Sequence, residues 1–179
     1  ETVNGVLAEL KANGELDAIV NKYFSGDEAN IKTFSAGTED ASKNQLVVAT
    51  NTPFSPFEYK KGDKYCGIDI EIAAIIAEEL GAELVIKEMA FDAVLTAVET
   101  GKADIVMAGL TVSAEREEQV TFSDTYYNAS QVIITKKDDT TFANCQTAAD
   151  VEAILNSMDK NTIVGYQNGT TGGLYVEGD

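Results

Sequence analysis

The chain has 179 residues, with thirteen basic against thirty acidic residues, a formal net charge of −17 and a hydrophobic fraction of 44%. That length suits one domain or slightly more, and the apolar share is enough for a core. The acidity leaves no basic stripe to neutralise phosphates, which argues against nucleic acid as a partner, and the absence of histidine removes the commonest general base and metal ligand.

Residues 1–26 read as two short helices. Val3, Val6, Leu7 and Leu10 have helical spacing, and Asn13-Gly14 ends the first; Leu16, Ile19, Val20, Tyr23 and Phe24 make the second stripe. Residues 27–44 are polar, with scattered Gly, Asp, Glu, Ser and Thr, and read as a linker or loosely packed loop. The run LVVA within 45–50 is a buried strand, followed by NTPFSPF, which holds both prolines of the chain. Two prolines stiffen such a loop.

Lys60-Lys61-Gly62-Asp63 is a hairpin turn signal. Cys66, in a strand-like run, reads as a small core residue. Cys145 is far from it and no CxxC spacing occurs, so free thiols are expected, with pairing in an oxidising compartment the alternative. Asp69 is placed to start a helix at Ile70, carried by Ile68, Ile72, Ile75, Ile76 and Leu80 and stopped by Gly81. Residues 84–86 are the next strand. Phe91, Val94, Leu95 and Val98 mark a helix ended by Gly101, and residues 105–108 form a third strand. Strand, helix, strand, helix, strand is a parallel α/β unit, whose ligands bind beyond the carboxyl ends of the strands. Asn51, Phe54, Phe91, Gly109, Thr111 and Arg116 all fall at such ends.

The stretch AGLTVSAEREEQVTFSDTYYN, residues 108–128, holds Arg116, the chain's lone guanidinium. Gly109 lets the backbone turn, Thr111 and Ser113 offer hydroxyls, and Ser113 is placed to cap a short helix beginning at Ala114. A bidentate guanidinium with backbone donors beside it suits a small carboxylate. The alternative is a surface arginine paired with Glu115, Glu117 or Glu118, and the residues alone do not choose.

Further on, 131–135 is expected as a strand, residues 147–150 as the start of a helix with Val151, Ile154, Leu155 and Met158 on its face, and 163–166 as another strand. The Gly-rich turn QNGTTGG follows at 167–173. It offers backbone N–H groups to an anion. A P-loop is rejected, because no lysine precedes Ser or Thr at its end. An ordinary turn is the plain alternative.

GLTVSAER followed by QVTFSDTYY, together with NTPFSPFEYKKGDKYCGIDIEIAAIIAEELG, resembles the signature of extracytoplasmic solute-binding proteins of amino-acid ABC transporters, the type II periplasmic-binding-protein architecture. The resemblance runs from about Leu46 to the chain end. It implies an α/β fold with a nearly complete parallel-sheet lobe over 45–137 and the first part of a second lobe over 138–179. It implies binding of a free amino acid in the cleft between two lobes, without catalysis and without cofactor or metal. Arg116 would pair with the ligand carboxylate, aided by Gly109, Thr111, Thr170 and Thr171. Phe54 and Phe91 would wall the side chain, and Asn51 stands where relatives that bind polar or cationic side chains often have Asp.

The expected partners are the amino acid and the membrane subunits of a transporter, in an extracytoplasmic setting. No signal-peptide pattern opens the chain, so a secreted protein is expected here in mature form, and no apolar run reaches the ~18–20 residues of a membrane span. On the family's pattern the second lobe continues with further strands and helices, and the acidic residue for the ligand's ammonium belongs to that further part. A complementary chain or second copy is one source for it. The segment 1–26 resembles the family's C-terminal helices, which pack on the first lobe, although here it comes first. A circular permutant, a tandem segment and a piece of a split or permuted sensor all fit that order. A sensory module and a dehydratase of the same fold are the competing functions.

Overall fold

The computed structural model describes residues 1–26 and 28–177. Two compact units divide between Tyr127 and Asn128, ahead of the boundary expected after Lys137.

In the first unit, helices α1 (Thr2–Ala12) and α2 (Glu15–Phe24) form a hairpin around Gly14, which adopts φ +79. Strands β1 (Gln45–Thr50), β4 (Glu83–Glu88) and β5 (Ile105–Val106) make a parallel sheet in the order β4-β1-β5, with Val48 opposite both Ile86 and Ile105. Between β1 and β4 lie the hairpin β2 (Tyr59–Lys61) and β3 (Lys64–Cys66) and the helix α3 (Ile68–Glu79). Between β4 and β5 a single 3-10 turn, Phe91–Ala93, leads into α4 (Val94–Glu99). This is the expected parallel α/β arrangement.

Helix α3 is the centre of the unit. Ile68, Ile72 and Ile76 pack with Leu7, Leu10, Leu16 and Ile19 of the helical hairpin. On another face, Ile70 packs with Tyr65 and Ile86. The helix is therefore buried on more than one side, and two of its acids, Asp69 and Glu71, are buried with it. Glu71, 2% exposed, accepts from Lys22 Nζ at 2.6 Å, lies 3.1 Å from Lys32 Nζ and accepts from Tyr23 Oη at 2.9 Å. The hairpin is thus joined to the sheet unit by apolar packing and by one buried charge cluster.

Three local expectations change. Helix α3 begins at Ile68 with Gly67 as its cap, so Asp69 does not cap it. Gly67 has φ +132, and a Cβ there would stand 2.0 Å from the Phe57 carbonyl oxygen; the tight approach of that strand turn sets the start. Second, the segment over 28–44 is mostly exposed, as expected of a loop, but part of it is tied to the first unit through its backbone. Phe34 and Tyr65 exchange two backbone hydrogen bonds of 2.8 Å, and the Ile86 N–H donates to the Ala36 carbonyl at 2.7 Å. Polar composition hid a segment whose backbone groups are taken up by the edge of the structure.

Third, the strands expected at 131–135 and 163–166 are not formed. Val132, Ile134 and Ile163 are 76%, 90% and 94% exposed. Extended apolar runs become strands only where a neighbouring backbone completes the ladder, and among the described residues none does so. The second unit instead holds the helices α6 (Ala148–Ser157) and α7 (Thr171–Glu177); the first unit's short helix α5 (Ala114–Glu117) precedes them. Thr147 and Asp150 form a reciprocal capping box on α6. Tyr175 of α7 donates to Glu152 of α6 at 2.8 Å.

Candidate functional site

The carboxyl ends of β4, β1 and β5 each open into a loop that carries expected site residues. After β1, Asn51 donates through Nδ2 to the Met89 carbonyl beyond β4, at 2.6 Å. Phe54 and Glu58 close a compact loop through backbone hydrogen bonds of 2.6 and 3.0 Å. The Phe54 ring is half exposed and stacks on Phe57, with centroids 5.6 Å apart and planes 19° apart. Phe57 in turn meets Tyr127 edge-on at 5.0 Å, and Tyr127 stacks on Phe24 of α2 at 5.8 Å. One aromatic row thus runs from the helical hairpin to the loop after β1.

After β5, Gly109 turns the chain at φ +54. Its N–H donates to Asp69 Oδ2 at 2.7 Å. Arg116 follows on α5 and is buried, 5% exposed. Its NH1 donates to the Thr111 carbonyl at 2.6 Å, and its guanidinium carbon lies 5.8 Å from the centre of the Phe91 ring. Ser113 caps α5, accepting from the Arg116 N–H at 3.3 Å, as its hydroxyl suggested. Burial lowers the guanidinium's pKa, against the neighbouring Glu115 charge, which raises it; a guanidinium remains charged under such a shift. Thr111 meets Arg116 through its carbonyl and is itself exposed.

Arg116, Thr111 and Phe91 therefore stand together, and so do Gly109 and Phe54, all at the same ends of neighbouring strands. Asn51 is tied to Met89, two residues before Phe91. Thr170 and Thr171 belong to the second unit. There the Thr170 hydroxyl donates to the Gln167 carbonyl at 2.7 Å and accepts the Gly173 N–H at 3.1 Å, and the Thr171 hydroxyl accepts from Gln131 at 2.9 Å.

Sequence reasoning missed two carboxyl groups behind these loops. Asp69, fully buried, accepts from Gly109 on one oxygen and from the Tyr126 hydroxyl on the other, at 2.8 Å. Burial pushes its pKa up to about 6, although both hydrogen bonds act the other way. Glu58, 1% exposed, has no hydrogen-bond partner among the described residues on either oxygen. Burial first, and then the Asp69 charge, push its pKa up to about 10, so its carboxyl is neutral near pH 7. For Asp69 the signal was present in Ile68-Asp69-Ile70-Glu71-Ile72: isoleucines on alternate residues of a helix leave no solvated face for the acids between them. Among the described residues no group of three or more Asp, Glu, Cys or His is placed to hold a metal ion.

Residues 46–171 match the model of the bacterial extracellular solute-binding proteins, family 3. The chain belongs to that family. Solute-binding relatives include the arginine-binding extracellular protein ArtP of Bacillus subtilis (strain 168), 39% identical over 104 residues, which are 58% of this chain and 40% of that protein. The ABC transporter arginine-binding protein 1 of Escherichia coli (strain K12) is 31% identical over 150 residues, 83% of this chain and 56% of the relative. The chain thus spans about half the length of these curated relatives. A similar crystal structure is that of the ancestral amino-acid-binding protein AncCDT-1, a precursor of cyclohexadienyl dehydratase. It is 40% identical, with a TM-score of 0.52, over 54% of this chain and 43% of that one. The relatives are mostly binding proteins, and the α/β parallel-sheet fold is the one the family uses. No helix among the described residues is long and apolar enough to cross a membrane.

Proposed function

We propose that this chain binds a free α-amino acid for uptake by an ABC transporter outside the cytoplasm, and does not turn it over. The observation that carries the reading is Arg116: a buried guanidinium at the strand ends, oriented by the Thr111 carbonyl and lying by the Phe91 ring. An oriented, partly desolvated guanidinium is suited to a carboxylate. Gly109 and Thr111 border the same loop, and Phe54 offers a half-exposed ring to an apolar part of the ligand. The assignment of Thr170 and Thr171 to the same carboxylate rests on the resemblance of their Gly-Thr-Thr to the family's. Arginine is the first ligand to test, from the names of the relatives. Asn51 supplies a neutral amide where an acid would favour a cation, so neutral amino acids belong in the same panel.

Titration calorimetry with the common amino acids tests this. One of them is expected to bind, and Arg116→Ala to weaken it at least about tenfold, the value of a charge-assisted hydrogen-bonded pair. Unchanged affinity in that variant would remove Arg116 from the site.

A dehydratase is the second reading, favoured by the likeness to AncCDT-1. It needs a carboxyl group facing the substrate, whereas Glu58 and Asp69 are buried behind the loops. Dehydration of a carboxylated ring substrate by the chain would establish it.

The exposed apolar segments of the second unit support a further polypeptide stretch, from a complementary chain or a second copy, completing that lobe's sheet.

A further inference from the structure

Among the described residues, Asp69 is the one buried carboxylate held by neutral donors alone. Its Oδ2 takes the Gly109 N–H at 2.7 Å and its Oδ1 the Tyr126 hydroxyl at 2.8 Å. Among the described residues no lysine or arginine forms an ion pair with it. A desolvated charge without a cation opposes folding. The isoleucines around it belong to apolar clusters of which it is no member. What the carboxylate supplies is position. It fixes the peptide that enters the 109–116 loop, and through Thr111 the loop fixes Arg116. At its other oxygen it holds Tyr126, next to Tyr127, after which the chain passes into the second unit.

The geometry points to Asp69 as a positioning residue that couples the Gly109 loop to the Tyr126 segment, so that displacement of either is felt at the other. This rests on the reading of the 109–116 loop as the carboxylate grip. The coupling works through acceptor strength. An ionised oxygen holds an N–H about twice as strongly as a neutral one. Losing the Tyr126 hydroxyl leaves the buried charge with one donor, favours its protonation and weakens the bond to Gly109.

The test is residue-resolved amide hydrogen exchange on the ligand-free chain, with Tyr126→Phe and Asp69→Asn as separate variants. Tyr126→Phe removes one oxygen atom and keeps the ring. In both, exchange at Gly109 is expected to speed up about tenfold, while Val48 in β1 and Ile72 in α3 keep their wild-type rates. Asp69→Asn is expected to retain or raise Tm and yet weaken amino-acid binding about fivefold or more, a split that a residue serving stability alone would not show. Unchanged exchange at Gly109 in both variants overturns the coupling, as does a loss of protection at Val48 and Ile72 equal to that at Gly109. If the wild-type chain binds no amino acid, the functional reading fails, and the ligand-free exchange rates still decide the role of Asp69.

Discussion

The ring of Phe54 lies against the bare Cα of Gly109. A Cβ at that position would come within 2.7 Å of Phe54 Cε1, and the backbone there is already at φ +54. Gly109→Ala therefore meets two penalties at once, a left-handed backbone and a displaced ring. A loss of about 1–3 kcal/mol is expected from urea midpoints. The amino-acid affinity should fall as well, because Phe54 must leave its stack on Phe57. A variant with wild-type stability would show that the ring swings away freely.

Glu58 opposes folding at neutral pH. Its pKa is raised from the ordinary glutamate value to about 10, so it takes up a proton on folding at pH 7. The stability tied to its protonated form is fully present below about pH 4.5 and is lost progressively as pH rises towards 10. Glu58→Met removes the proton uptake and the two unpartnered oxygens. The gain in stability of the variant should be larger at pH 7 than at pH 4 by about 2–3 kcal/mol. Thermal unfolding of both chains across pH 4–8 checks that difference.

Glu71 has the opposite sign. Burial alone would raise its pKa, but hydrogen bonds from Lys22, Lys32 and Tyr23 outweigh it and hold the value below that of an ordinary glutamate. Its contribution is therefore present above the ordinary glutamate range and is lost as pH falls through the lowered value. Glu71→Gln should cost about 2–3 kcal/mol at pH 7 and little in acid. The loss should appear first as exchange or proteolysis in α2, which the cluster anchors through Lys22 and Tyr23.

The two thiols should react at different rates. Cys66 is fully buried and its pKa is raised, mainly by that burial, whereas Cys145 is partly accessible. A maleimide at neutral pH is expected to label Cys145 well ahead of Cys66. Equal rates would mean that the strand β3 opens readily.

Much of the first unit was legible because its periodicities are clean. The stripe of Leu7 and Leu10, the run at Val48 and the turn at Gly62 each identify their own element, and Ser113 before Ala114 marks a cap. The hidden parts have a common cause: they depend on neighbours distant in sequence. Asp69 reads as a helix starter until Gly109 and Tyr126, 40 and 57 positions away, are seen to hold its oxygens. The polar segment after Gly26 reads as slack until Tyr65 and Leu84 are placed beside it. Conversely, Val132 and Ile163 have strand-forming neighbours in sequence but no ladder partner among the described residues. Of the candidate site, the loops were legible from the strand ends, whereas the carbonyl that orients Arg116 was not.

The core of the molecule runs from Val6 to Ala108 and lies within the first unit. A shortened chain ending at Tyr127 should consequently fold by itself and behave better at high concentration than the longer one. The uncovered isoleucine runs are sticky, β-prone ribbons of the kind that seed fibrils. Solubility, before affinity, is where that trimming would tell.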